Sequence, residues 1–259
     1  MPNFSGKTAV VTGASRGIGR AIAVRLAKEG ARTVLCARNR DDLDRAVREI
    51  EQAGATAAAL PLDLRMPDAP DQLAQFALKR FGQIDIVVNN AGATKRGEFS
   101  ALTDADWADG FALKFFGAVR LTRAAWPHLK ARSGSVVFIS GIGGRTPGPL
   151  FTIGGSVNAA LLSFSKAMAE NGVRDGVQVN TVNPGVIRTS RYTARLEALA
   201  AQQGTDLAEA ERRFVESEGI TRIGEPEDIA NLVAFVVSPE GRLLHGALID
   251  MDAGATKTI

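Results

Sequence analysis

Three glycines and an arginine mark the point where a predicted strand passes into a predicted helix near the N-terminus. The segment reads Thr12-Gly13-Ala14-Ser15-Arg16-Gly17-Ile18-Gly19 and follows an apolar run. Gly13 permits a tight turn, and Gly17 and Gly19 let the backbone approach a ligand while the open helix N-terminus faces an anion. This spacing predicts a pyrophosphate-binding turn of a dinucleotide site, with an ordinary strand-to-helix turn as the alternative.

The end of the second predicted strand indicates which dinucleotide fits. Sites of this kind that take NAD place an Asp or Glu there, which accepts a hydrogen bond from the ribose 2′-hydroxyl. Here the strand ends Cys36-Ala37-Arg38, with no acid. Arg38 and Arg16 can pair with a 2′-phosphate through charge-assisted hydrogen bonds. We therefore expect NADP(H) rather than NAD(H), with a solvated Arg38 as the alternative.

The elements that must position these residues alternate between apolar strands and amphipathic helices. Strands are predicted at 8–12, 33–37, 57–62, 84–89, 135–140, 177–182 and 247–250. Helices are predicted at 18–29, 41–53, 71–81, 104–128 (one long helix or a pair) and 156–170, with two short ones between 189 and 217. This order predicts an α/β fold, a single-domain doubly wound parallel sheet of Rossmann type over residues 1–259. Ligands of such sheets bind beyond the carboxyl ends of the strands.

Composition narrows the class of protein. Hydrophobic residues make up 45% and charged residues 23%, which is typical of a globular chain with a real core. The net charge of +3, without a basic run, argues against a nucleic-acid partner. No apolar stretch reaches the length of a membrane span. The single cysteine, Cys36, fits a reducing cytoplasm, and no Cys/His/acid cluster has metal-ligand spacing.

Four further motifs stand at the ends of predicted strands or near the C-terminus. They are Asp63-Leu64, Asn89-Asn90-Ala91-Gly92, Asn183-Pro184-Gly185-Val186-Ile187-Arg188-Thr189 and the segment at residues 222–230. With the glycine turn, they make nearly the whole chain resemble the classical short-chain dehydrogenase/reductase family. The resemblance implies that the diphosphate and adenosine ribose lie against Gly13, Ser15, Arg16, Ile18 and Gly19, and the adenine against Asp63 and Leu64. It implies that the nicotinamide half lies against Asn90, Ala91, Gly92, Pro184, Gly185, Ile187 and Thr189. It also implies a homodimer or homotetramer.

The catalytic residues of that family are the part that does not match. The family uses a Tyr as proton donor, a Lys four residues later that lowers the Tyr pKa, a Ser that holds the substrate oxygen and an Asn that organises a relay water. In an ungapped register these positions are Gly154, Asn158, Gly141 and Lys114, with Ser140 beside Gly141. Loss of side chains at Gly154 and Gly141 is expected to open space beside the nicotinamide.

Two residues are candidates for the missing proton donor. Lys114 and Asn158 exchange the residue types of the family's Asn and Lys, so Lys114 either replaces the lysine or the acid with a lowered pKa, or extends into solvent. Tyr192 is the only tyrosine. It lies in the segment 188–217, which resembles a substrate lid, and is either a relocated general acid or a packing residue.

The predicted lid also carries Arg188, Arg191 and Arg195, at spacings that place them on one helical face. They indicate either an anionic small-molecule substrate or a solvated face balanced by Glu197.

Three functions remain open. The first is an NADP-dependent oxidoreductase on a carbonyl or alcohol substrate, with a non-standard proton donor. The second is an inactive NADP(H) sensor or partner subunit, and the third is a non-redox lyase or isomerase.

Overall fold

A parallel sheet forms the centre of the computed structural model, which describes residues 3–257. Within that range the strands are β1 Thr8–Thr12, β2 Arg32–Ala37, β3 Ala57–Pro61, β4 Ile86–Asn89, β5 Ser135–Ile139, β6 Gln178–Pro184 and β7 Leu248–Met251. Their order across the sheet is β3-β2-β1-β4-β5-β6-β7, and every pairing is parallel. The order reverses between β1 and β4, which is where a doubly wound sheet opens a ligand crevice. The predicted single-domain Rossmann-like fold is confirmed.

Helices cover both faces of the sheet. They are α1 Gly17–Lys28, α2 Arg40–Gln52, α3 Ala69–Phe81, α4 Asp104–Gly110, α5 Gly117–Arg132, α6 Thr152–Asp175, α7 Ser190–Gln203, α8 Leu207–Glu218 and α9 Pro226–Val236. Because successive strand residues point to opposite faces, Val11 packs in the layer under α1 and α9, and Val10 packs in the layer under α3 and α5. Both valines are fully buried.

Two helices differ from the sequence predictions. At 104–128, where one long helix or a pair is predicted, the structure has the pair, α4 and α5, joined by a π-helical turn at Phe111–Phe116. Helix α6 begins at Thr152, four residues before the predicted start. Gly154 and Gly155 therefore lie inside its first turns. Helix α9 was not predicted, although Pro226 stands at its first position, inside a capping box formed by Glu225 and Asp228.

Helices α7 and α8 form the segment predicted as a lid. A small apolar cluster holds them together, with Tyr192 and Leu196 from α7 and Phe214 from α8. Within residues 3–257, none of the helices is long and apolar enough to cross a membrane.

Candidate nucleotide-binding and catalytic cleft

A cleft of about 1120 Å³ opens beyond the carboxyl ends of the strands. This volume slightly exceeds the range of about 300–1,000 Å³ that is usual for small-molecule sites. The cleft wall brings together nearly all the residues predicted to bind a cofactor, which are Gly13, Ser15, Arg16, Ile18, Gly19, Arg38, Leu64, Asn90, Ala91, Gly92, Pro184, Gly185, Ile187 and Thr189. Three of the predicted catalytic residues, Lys114, Ser140 and Asn158, line the same cleft.

Asp63 is the exception among the predicted cofactor residues. It does not line the cleft. Its carboxylate oxygen Oδ1 accepts hydrogen bonds from the backbone N–H of Arg65 at 3.1 Å and from Nη1 of Arg65 at 3.2 Å. These bonds fix the turn after β3 and leave Oδ2 of Asp63 without a partner among them. The contact of Asp63 with an adenine ring stays a prediction.

The glycine turn is fixed by residues that directly follow the neighbouring strand β4. Asn90 donates from Nδ2 to the carbonyl oxygen of Thr12 at 2.9 Å. The hydroxyl oxygen of Thr12 accepts hydrogen bonds from the backbone N–H groups of Asn90 and Ala91, each at 2.9 Å. A Cβ on Gly19 would overlap Nδ2 of Asn90 and the carbonyl oxygen of Gly13. Asn90 thus positions the turn itself, a role that the sequence reading did not assign to it or to Thr12.

The first turn of α1 supplies free hydrogen-bond donors to the cleft. The N-cap residue Arg16 makes no side-chain capping bond, and the first amides of a helix have no intrahelical partner. The side chains of Arg16 and Arg38 make no hydrogen bond or ion pair with any residue between 3 and 257. Open amides at a helix N-terminus and two unpaired guanidinium groups fit a diphosphate and a further phosphate. The residues present therefore fit NADP(H).

Lys114 extends into the cleft from the π-helical turn. Its Nζ donates to the carbonyl oxygen of Ser140 and to Oδ1 of Asn158, each at 2.6 Å. A Cβ on Gly92 would lie 2.8 Å from the aliphatic chain of Lys114, so the glycine leaves room for that chain. Burial, with a smaller contribution from the guanidinium of Arg191, lowers the pKa of Lys114 from 10.5 to about 7. The prediction that Lys114 lies in the site with a lowered pKa agrees with this geometry. π-helical turns often occur at functional sites.

Asn158 and Ser140 complete the polar floor around Lys114. Asn158 is buried, and its amide oxygen faces the Lys114 ammonium. Ser140 donates from Oγ to the backbone oxygen of Asn158 at 3.1 Å, so its hydroxyl proton is already engaged. Gly141 has a φ of +144°, a backbone conformation that residues with side chains rarely adopt. A serine at position 141 would be strained in this backbone.

The expectation of open space at Gly154 is wrong. A Cβ on Gly154 would overlap the ring of Phe151, which occupies that volume. Phe151 ends a short 3₁₀ turn at Pro149–Phe151, just before α6 begins. Its ring lies under the guanidinium group of Arg96, with 4.5 Å between the group and the ring centroid. The sequence prediction did not identify Phe151 as the neighbour that occupies this volume.

Tyr192 does not line the cleft. It is 6% exposed, packs edge to face against Phe214 and donates from its hydroxyl to Oε2 of Glu211 at 3.1 Å. Burial and the Glu211 carboxylate raise its pKa to about 12. The interpretation of Tyr192 as a relocated general acid is corrected, because the phenol stabilises the contact between α7 and α8.

The three lid arginines have separate positions. Arg188 precedes α7 and is bound by Glu211 at 2.7 Å and Glu225 at 2.9 Å, so it is structural. Arg191 and Arg195 line the cleft. The carboxylate near Arg195 is that of Glu218, at 3.7 Å, and not the expected Glu197. Among residues 3–257, no group of three His, Cys, Asp or Glu side chains is placed to hold a metal ion.

Comparison with known proteins gives consistent matches. The short chain dehydrogenase family matches residues 7–199. An uncharacterized oxidoreductase of Mycobacterium tuberculosis is 36% identical over 99% of this chain and 94% of its own length. The crystal structure of L-sorbose reductase from Gluconobacter frateurii, complexed with NADPH and L-sorbose, superposes with a TM-score of 0.95 at 33% identity, covering 99% of both chains. A short chain oxidoreductase from Pseudomonas aeruginosa, described as containing an atypical catalytic center, has a TM-score of 0.93 at 28% identity, covering 99% of this chain and all of its own.

Proposed function

The chain belongs to the short-chain dehydrogenase family, and we propose that it is an NADP(H)-dependent oxidoreductase in which Lys114 transfers the proton. Its substrate is a carbonyl compound or the corresponding alcohol. The observation that carries the proposal is the Lys114 ammonium group, which lies in the cleft and is fixed by two acceptors at 2.6 Å.

The nucleotide half of the cleft determines how the cofactor is held. The amides at the start of α1 bind the diphosphate, and Arg16 and Arg38 bind the 2′-phosphate. When bound, the nicotinamide supplies or accepts a hydride at the substrate carbon. The complex of L-sorbose reductase with NADPH supports NADP(H) as the nucleotide.

The two acceptors around Lys114 leave one direction for the reacting group. An ammonium group has three N–H donors, and two of them are directed at Ser140 and Asn158. The third points to the remaining side, where a substrate oxygen binds. When the group is neutral, the two fixed N–H donors stay in place and the nitrogen lone pair takes the third direction. The same geometry therefore serves both protonation states.

The proton step follows from this arrangement. In carbonyl reduction, the Lys114 ammonium donates a proton to the substrate oxygen as negative charge develops on it. In alcohol oxidation, the neutral amine accepts the hydroxyl proton. A pKa of about 7 keeps both forms populated near neutral pH, which is the condition for efficient acid–base catalysis.

We also propose that the chain lacks the Asn, Ser, Tyr and Lys that the family usually uses for catalysis. Lys114, Gly141, Gly154 and Asn158 stand at its four positions in the ungapped register. Three features support the assignment: Phe151 fills the volume at Gly154, Gly141 has a backbone unsuited to serine, and the Pseudomonas neighbour is described as having an atypical catalytic center.

The test is NADPH oxidation by the wild type and the Lys114→Met variant on a panel of ketones, aldehydes and oxo acids. The variant is expected to lose about 100-fold or more in kcat while its affinity for NADPH changes little. Lys166→Met, at an exposed lysine on α6 outside the cleft, is the matched control and is expected to retain full activity. Unchanged turnover in Lys114→Met would refute the assignment of the proton donor.

A second candidate is an NADP(H)-binding protein without turnover. Phe151 favours it, because an aromatic ring without a proton to donate lies against Gly154. Tight NADPH binding together with no turnover on the whole panel would support this candidate over the oxidoreductase.

A further inference from the structure

We infer that the substrate of this site carries a terminal oxyanion, a carboxylate or a phosphate, which binds between Arg96 and Arg195 at the mouth of the cleft. The inference rests on the proposed function, because it names the substrate class of the same site. It concerns the end of the cleft that the nucleotide residues Arg16 and Arg38 do not line.

The charges at this end are unbalanced. Arg96 and Arg195 line it, together with a single carboxylate from Glu218, whereas Arg191 lies nearer Arg16 and donates to the backbone oxygen of Gly92 at 2.6 Å. Glu218 lies 3.7 Å from Arg195. Arg96 makes no hydrogen bond or ion pair with any residue in the described part of the chain. A cleft wall with two guanidinium groups and one carboxylate keeps a net positive charge, which attracts an anion.

Two of these guanidinium groups are held in place by aromatic rings. Arg96 lies 4.5 Å from the ring centroid of Phe151, and Arg195 lies 4.7 Å from that of Phe214. Stacking leaves the edge of a guanidinium free and presents its N–H groups in a plane that matches a carboxylate or phosphate. Burial and the charge of Arg195 lower the pKa of Arg96, and the carboxylate of Glu218 raises it by less, so the two guanidinium groups repel each other and Glu218 offsets only part of that repulsion. An oxyanion between them would remove this repulsion.

The position of Phe151 connects this mouth with the reacting groups. The point where Gly143 would carry a Cβ lies 2.9 Å from the Phe151 ring and 3.7 Å from Nδ2 of Asn158. Asn158 in turn binds Lys114. Phe151 and Asn158 therefore lie between the arginine site and the proton-transferring amine. A substrate that spans them carries its carbonyl at one end and its anionic group at the other.

The matched arginine for comparison is Arg212 on α8. It belongs to the same predicted lid, but it is paired with Glu209 and Glu216 and does not line the cleft. A substitution there changes the net charge of the lid by the same amount as a substitution of Arg195. It leaves the inferred anion site intact.

The test is calorimetric binding, with and without saturating NADP⁺, of probe pairs that differ only in charge. The pairs are pyruvate, 3-oxobutanoate and 4-oxopentanoate against their methyl esters, and dihydroxyacetone phosphate against dihydroxyacetone. At least one anion is expected to bind about tenfold or more tightly than its neutral partner. Arg96→Gln and Arg195→Gln are each expected to abolish most of that preference, and Arg212→Gln to preserve it. The pair with the largest preference identifies carboxylate or phosphate.

Three results would overturn the inference. The first is equal binding of anion and neutral partner in every pair, and the second is an anion preference that survives both substitutions. The third is a loss of NADP⁺ affinity in Arg96→Gln and Arg195→Gln without a loss of anion preference, which would assign these arginines to the cofactor. The readout separates the two proposals. Anion binding without NADPH oxidation would refute only the oxidoreductase, and turnover limited to neutral carbonyls would refute only the anion site.

Discussion

Replacing Lys114 with methionine tests the lowered pKa of its side chain, because that pKa makes the free energy of unfolding depend on pH. Methionine keeps an unbranched chain of similar size and removes the titrating nitrogen. In the folded protein, burial and the nearby Arg191 lower the pKa of Lys114 from 10.5 to about 7. In the unfolded chain the pKa is about 10.4. Between pH 7 and about 10, the unfolded wild type therefore binds more protons than the folded wild type.

The sign of the effect follows from this difference. Stability rises with pH wherever the unfolded state binds more protons, by up to about 1.4 kcal/mol per pH unit for one group. From pH 7 to pH 9 this limit is roughly 2.7 kcal/mol. Because Lys114 is only partly buried and keeps some contact with water, we expect the wild type to gain roughly 1–2 kcal/mol relative to Lys114→Met over that interval. Below pH 6 both states are protonated, so the difference between the two proteins becomes constant.

The assay is urea unfolding of both proteins at pH 6, 7, 8 and 9, followed by the fluorescence of the two tryptophans. Titrations of all other groups cancel in the difference between wild type and variant. Lys166→Met is the control and is expected to differ from the wild type by a constant amount. A difference for Lys114→Met that stays flat within about 0.5 kcal/mol from pH 7 to pH 9 would refute the lowered pKa and with it the role of Lys114 near neutral pH.

Three further predictions concern the nucleotide end of the cleft and the lid. Gly19→Ala is expected to destabilise the fold by roughly 1–3 kcal/mol and to weaken NADPH binding, because the Cβ of the alanine would overlap the backbone. Gly148→Ala has open space around the new Cβ and is expected to change the free energy of unfolding by less than about 0.5 kcal/mol. Thermal or urea unfolding measures both. Arg38→Gln is expected to weaken NADPH binding about 10-fold or more in calorimetry and to leave NADH binding unchanged; equal losses for both nucleotides would contradict a 2′-phosphate contact. Tyr192→Phe is expected to keep full turnover and to lose about 0.5–1.5 kcal/mol of stability with its hydrogen bond to Glu211, and a large loss of kcat at unchanged stability would restore the phenol as a proton donor.

The sheet and the nucleotide end of the cleft could be predicted from local patterns. Strand β1 has the predicted bounds, Thr8–Thr12. In a chain that alternates strands and helices, a short β-branched run of this kind predicts a strand buried on both faces. The glycine turn could be predicted because the backbone freedom that it requires is a property of glycine itself. Helix α9 could also have been predicted, since Pro226 and the capping box at Glu225 are ordinary start signals.

The substrate end depends on side-chain contacts that the spacing of residue types does not encode. The direction of the Tyr192 side chain is set by Glu211 and Phe214 on α8, which no spacing within α7 encodes. Phe151 fills the volume at Gly154 because a 3₁₀ turn precedes α6. A register argument compares one position at a time and does not show that a neighbour replaces a missing side chain.

The most direct test of the account is a calorimetric titration of the purified protein with NADPH and then with NADH. Open amides at the start of α1 and the unpaired Arg16 and Arg38 predict NADPH binding at micromolar affinity, with NADH at least tenfold weaker. Binding of neither nucleotide would contradict the assignment of the cleft as a dinucleotide site and, with it, the proposed oxidoreductase.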